Sequence, residues 1–311
     1  MNIVVCLDGT WNGNDLENTN VHRIIGLLDK RECISNYYSG VGVGSRWLEH
    51  KLDGATGRGV FRTVRAAYTF VKANYLKGDR IYIFGFSRGA YAARHLAGLI
   101  ARCGLDWHPE ATYDRYRGIL RGEVEEGSRG VEVEFLGMFD CVPGNQIYMH
   151  TDAPRELNAT NIERNILNVA HAVSRDEHRS LFKPLVFVSD QQKSFEQRWF
   201  PGYHFDVGGD RNKDLNNFSL AWMLVQACRC GLHLSGHIPT TFNPSTPGVR
   251  GDDWTTTIGV SCARSELPEA KFIEREPSAD TLRNEISQLT RLQTRSPGQP
   301  GSTSTPPAST G

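Results

Sequence analysis

Over roughly the first hundred residues, short apolar runs alternate with longer stretches whose apolar positions recur every three or four residues. Such alternation predicts an α/β fold built on a mostly parallel sheet with helices on both faces. Residues 2–7 read as a buried strand that stops at the polar turn Asp8-Gly9-Thr10-Trp11-Asn12. A helix is expected over 21–29, with Val21, Ile24, Ile25 and Leu28 on one face. A second strand at 36–42 runs into the Gly-rich stretch Gly40-Val41-Gly42-Val43-Gly44. Residues 57–76 are helical, with Val60, Val64, Ala67 and Val71 as an apolar stripe. Residues 80–86 form a strand, and 88–102 a helix that Gly104 can end.

Beyond this point the pattern is less regular. The stretch 106–130 mixes Trp107, Tyr113 and Tyr116 with many charges, and is expected to be an insertion outside the sheet and a candidate lid. A strand is expected at 131–139, an amphipathic helix at 161–173, strands at 185–189 and 198–203, and a helix at 220–230. After about residue 265 only 281–292 carries helical periodicity. The Ser/Thr/Pro/Gly-rich tail 296–311 has too little apolar surface to offset its ordering entropy and is expected to be disordered. One catalytic domain over 1–265 with a C-terminal extension over 266–311 accounts for the pattern.

Charge excludes some partners. Lys plus Arg and Asp plus Glu both total 35, so no basic excess marks a nucleic-acid binder. No apolar run is long enough for a membrane span. The N-terminus lacks the basic start and long apolar stretch of a secretory signal, so a cytoplasmic setting is expected, with signal-independent export compatible. The seven Cys have no framework spacing, and Cys228-Arg229-Cys230 lacks a second ligand pair for zinc.

The sharpest chemical signal is Gly85-Phe86-Ser87-Arg88-Gly89, a G-x-S-x-G pattern between a strand and a small-residue helix. In that context the pattern is a nucleophile elbow, which presents a Ser hydroxyl above the sheet edge. A Ser nucleophile needs a base, usually a His oriented by a carboxylate. His204 is the expected base, because it follows a strand and opens the Gly-rich loop ending at Gly208-Gly209. His95 lies in the helix after the elbow and reads as a packing residue, while His171 and His178 are expected at a helix end. Asp140, Asp190 and Asp206 are the candidate acids, Asp140 first because it ends a strand between Ser87 and His204. Asp206 is close enough along the chain to His204 to bond loop amides instead. Backbone N–H groups of Arg88 and of Gly9 or Thr10 are the expected oxyanion donors.

Val5-Cys6-Leu7-Asp8-Gly9-Thr10 is similar to the D-x-D-G-T start of haloacid-dehalogenase-type phosphatases, but Cys6 stands where the nucleophilic carboxylate is needed. The Gly40–Gly44 stretch lacks the Lys-Ser/Thr of a nucleotide loop.

Together these residues resemble the α/β-hydrolase domain family that includes phospholipase effectors of bacterial type VI secretion. The matching stretches are IVVCLDGTWN (3–12), NTNVHRI (18–24), YYSGVGVG (37–44), GDRIYIFGFSRGAYAARHLAG (78–98), FLGMFDCV (135–142), HAVSRDEHR (171–179), WFPGYHFDVGGD (199–210) and LAWMLVQACRCGL (220–232). The resemblance implies a Ser-dependent esterase acting on ester or phospholipid substrates, with Ser87 as nucleophile, His204 as base and Asp140 in the acid position. Peripheral membrane contact fits such a substrate. The chemistry calls for no metal or organic cofactor. The competing readings are a carboxylesterase acting on small soluble esters and a non-catalytic binding module on the same scaffold.

Overall fold

The computed structural model describes residues 1–9, 19–40, 58–106, 108–125, 131–143, 161–179, 182–188, 191–209, 211–249 and 274–294. Thr10, Asp190, the Gly-rich stretch from Val41 onward and the 296–311 tail lie outside the described residues.

Six strands form one all-parallel sheet: β1 (Asn2–Leu7), β2 (Cys33–Tyr38), β3 (Arg80–Phe86), β4 (Val133–Phe139), β5 (Ile166–Ser174) and β6 (Ser194–Phe200), in the order β2-β1-β3-β4-β5-β6. A parallel sheet needs both faces covered, and the inner strands are accordingly apolar on both. Along β1, Ile3, Val5 and Leu7 pack to one side while Val4 and Cys6 pack to the other. The first side is covered by α2 (Arg58–Asn74), α3 (Arg88–Cys103) and α4 (Pro109–Leu120). The second is covered by α1 (Asn20–Leu27), α6 (Lys213–Arg229) and α7 (Ala279–Thr294).

The stripe Val60, Val64, Ala67 and Val71 is buried as its spacing predicts. Helix α6 is apolar nearly all round because it lies between the sheet, α1 and α7, with Trp222 and Phe218 fully enclosed. Burying each such side chain stabilises the fold by roughly 1.5–3 kcal/mol. The described part of the 106–130 stretch forms α4, whose Tyr116 is buried against α3.

Two expected elements are corrected. The helix expected over 161–173 is instead strand β5, buried along its whole length between β4 and β6. Ile162, Ile166, Val169 and Val173 mimic helical spacing, but a strand covered on both faces shows no alternation to betray it. His171 therefore sits inside the sheet, not at a helix end. Of the strand expected at 185–189, the described residues contribute only a bridge from Val188 to Asn161.

The strand order reverses between β1 and its two neighbours β2 and β3. In open parallel sheets, ligands bind outside the carboxyl ends of strands near such a switch point. Asp8 and Gly9 follow β1, Ser87 follows β3 and Asp140 follows β4, all at that end.

Candidate active site

Two non-glycine residues have positive φ among the described residues: Ser87 (φ 58°) and Asp140 (φ 42°). Such backbone costs on the order of 1–3 kcal/mol per residue and persists only where surroundings impose it. At Ser87 the surroundings are plain. Its N–H donates to the Phe139 carbonyl at 3.0 Å, and its carbonyl accepts from Ala90, Tyr91 and Val142 N–H groups. A Cβ on Gly89 would lie 2.2 Å from the Leu7 carbonyl oxygen, and one on Gly85 2.5 Å from Ala90 Cα. Only glycine at both positions lets α3 start this close to β1 and β3. Gly9 packs directly against the nucleophile candidate, since a Cβ there would come within 2.9 Å of Ser87 Cβ.

Asp140 continues the β4–β5 ladder through its N–H to the Ala172 carbonyl at 2.7 Å, then turns its side chain toward His204. His204 Nδ1 lies 2.6 Å from Asp140 Oδ2, and both side chains are fully buried. His204 begins a single turn, α5 (His204–Val207). Its ring sits among Phe86 at 4.7 Å, Phe182 at 4.9 Å and Phe205 at 5.2 Å between centroids. Phe86 precedes Ser87, so the imidazole lies beside the strand-to-helix turn that carries Ser87. Nε2 is buried and has no hydrogen-bond partner among the described residues, so it is not bonded to the Ser87 hydroxyl here. With Nδ1 held by a carboxylate, the neutral ring carries its open lone pair on Nε2.

Asp206 lies elsewhere. Its Oδ2 accepts from the Tyr203 N–H at 2.9 Å and the Val249 N–H at 2.8 Å, which fixes the turn presenting His204. Burial pushes its carboxyl above the usual range.

Arg88 opens α3, where the first amides have no intrahelical acceptor. Burial lowers its guanidinium to about 10. The Gly9 N–H donates to Asp8 Oδ1 at 2.7 Å. Asp8 Oδ2 in turn accepts from the Thr19 hydroxyl and from Tyr37 Oη at 2.7 Å. Burial raises the Asp8 carboxyl, and these donors oppose the shift. His95 is a packing residue beside Phe61, Tyr91 and Tyr116. Among the described residues, no group of three or more His, Cys, Asp or Glu is arranged to hold a metal ion.

Sequence reasoning missed Ser174, Glu177 and Gln197. Ser174 donates twice to Asp140, Glu177 accepts the His204 N–H, and Gln197 bonds His171. The one signal pointing at the first two is that they fall inside the HAVSRDEHR stretch.

No described helix is long and apolar enough to cross a membrane. An uncharacterized protein of Saccharomyces cerevisiae, YEL023C, is 34% identical over 226 residues, covering 60% of this chain. The match takes in 33% of the yeast protein, so this chain spans about a third of that relative. The crystal structure of an uncharacterized protein from Pseudomonas aeruginosa aligns with 94% of this chain and 52% of its own, at 19% identity and a TM-score of 0.44. The sequence model for the catalytic domain of type VI secretion, Tle1-like phospholipase effectors matches residues 1–120 and 120–226. The chain belongs to that Tle1-like catalytic-domain family.

Proposed function

We propose that the protein is a serine-dependent ester hydrolase acting on phospholipids, with Ser87 as nucleophile, His204 as base and Asp140 as orienting acid. The observation that carries this reading is the unspent Nε2 of His204, buried beside the elbow while Nδ1 is held by Asp140 at 2.6 Å. Family membership supports the phospholipid ester as substrate class.

Ser87 Oγ attacks the ester carbonyl as Nε2 takes its proton, and the carbonyl electron pair moves onto oxygen. The N–H of Arg88 and a donor from the Gly9–Thr10 turn face that oxyanion, each contributing roughly 2.7–4 kcal/mol to barrier lowering. The Gly9 N–H must then share or leave its bond to Asp8. Collapse expels the alcohol, which leaves with the proton from Nε2, and an acyl-Ser87 remains. Water loses a proton to Nε2 and attacks the acyl carbon; collapse breaks the bond to Ser87 Oγ, which takes that proton back from Nε2, and the fatty acid is released. Asp140 stays ionised throughout and balances the imidazolium. The bond between Ser87 Oγ and Nε2 must form once substrate is bound, a tightening common to catalytic hydrogen bonds that are open in free enzymes.

The proposed catalytic unit is residues 1–265. Fatty-acid release from phospholipid micelles, with short-chain soluble esters in parallel, tests the reading. Ser87→Ala is expected to lose at least about a thousand-fold in turnover with the fold retained. Undiminished turnover in that variant overturns the mechanism. Faster turnover of soluble esters than of micelles overturns the substrate class alone.

A further inference from the structure

We infer that Ser174 is a positioning residue for Asp140, and that the stretch it opens holds both members of the Asp140–His204 pair. The inference rests on the proposed reading of that pair as the acid and base for Ser87.

Ser174 is the last residue of β5 and is fully buried. Its backbone N–H donates to Asp140 Oδ1 at 2.8 Å, and its hydroxyl donates to Asp140 Oδ2 at 2.7 Å. One residue thus grips both carboxylate oxygens, which fixes the plane of the group. The backbone bond alone would satisfy Oδ1. The hydroxyl acts on Oδ2, the oxygen that also takes His204 Nδ1 at 2.6 Å. Its bond therefore sets where the remaining lone pair of Oδ2 points. Asp140 needs such a hold because its own backbone is strained, at φ 42°.

The same stretch reaches the base. Glu177 Oε2 accepts the His204 N–H at 3.3 Å. Glu177 is fixed by the Arg179 guanidinium at 2.6 and 2.8 Å and by the Arg179 N–H at 2.8 Å. Arg179 lies 4.2 Å over the Phe182 ring, and Phe182 packs on His204. Glu177 and Arg179 are both buried. The acid is thus held at its carboxylate and the base at its backbone from one short length of chain.

The test is a double-mutant cycle on the full chain, with kcat and KM for phospholipid hydrolysis normalised to folded protein by near-ultraviolet circular dichroism. Ser174→Ala is expected to lower kcat about tenfold and leave KM within about twofold, as loss of a hydrogen bond to a charged group implies. In an Asp140→Asn background the same substitution should change kcat less than about twofold, because the residue acts through the carboxylate. Where Ser174→Ala does not fold, Ser174→Cys is read in its place, since it fills the volume with a weak donor. Equal losses in both backgrounds, or a rise in KM at unchanged kcat, overturn the inference while the Ser87 mechanism stands. Hydrolysis that persists in Ser87→Ala overturns the mechanism, and the role of Ser174 with it.

Discussion

Two fully buried histidines flank Asp140, and they differ in one nitrogen. His171, inside β5, uses both: Nδ1 meets Gln197 Oε1 at 2.9 Å, and Nε2 accepts the Cys141 N–H at 3.1 Å. His204, on the turn after β6, uses Nδ1 on Asp140 and leaves Nε2 open among the described residues. The hydrogen bonds of His171 define a neutral ring with its proton on Nδ1, and burial pushes its pKa down to about 4. Burial and a nearby carboxylate are common to both rings. A closed hydrogen-bond set makes one a sheet fastener, and an open lone pair beside a strained Ser makes the other a candidate base.

That contrast can be broken by substitution. The largest expected effect is at the open ring: His204→Ala should cut phospholipid turnover by at least about a thousand-fold with the fold intact. Asp140→Asn comes next, with a loss of roughly a thousand-fold in kcat, since it disturbs the orientation of His204 and not the bonds of His171. His171→Ala should lower stability by roughly 2–4 kcal/mol in denaturant unfolding, because it opens a cavity and strands the Cys141 N–H. Its turnover per folded molecule should stay within a few-fold of the parent.

The smallest effect is in pH. A ring kept neutral in the fold but free to take a proton once unfolded makes the unfolded chain the stronger proton binder between about pH 6.5 and 4. Stability should therefore fall as pH drops through that window, by at most roughly 3 kcal/mol from this group, with no loss from it above pH 6.5. Denaturant melts at several pH values check this, and His171→Ala should flatten that part of the slope.

The tight strand-to-helix turn at Ser87 was legible because its signals are local. Gly85, Ser87 and Gly89 lie within one turn of chain, between a strand rich in aromatic and β-branched residues and a helix rich in Ala. Asp140 and His204 were legible from chain order, each following an expected strand. Strand β5 was not, because enclosure by β4, β6 and helices on both faces removes the polar alternation that distinguishes a strand. Ser174 and Gln197 were illegible for a related reason. Each is a buried polar residue whose partner is set by how the strands lie in the sheet, where the register brings His171 opposite Gln197. The Asp8 cluster was read only in part: its Asp-Gly turn is evident, but Tyr37 and Thr19 reach it from other elements.

The most direct test of the central claim is covalent labelling by a fluorophosphonate, mapped by mass spectrometry in the parent chain and in His204→Ala. Rapid modification of Ser87 in the parent, slowed at least a hundred-fold in His204→Ala, is the predicted result. An unmodified Ser87 in the parent, or equal labelling rates in the two proteins, would contradict it.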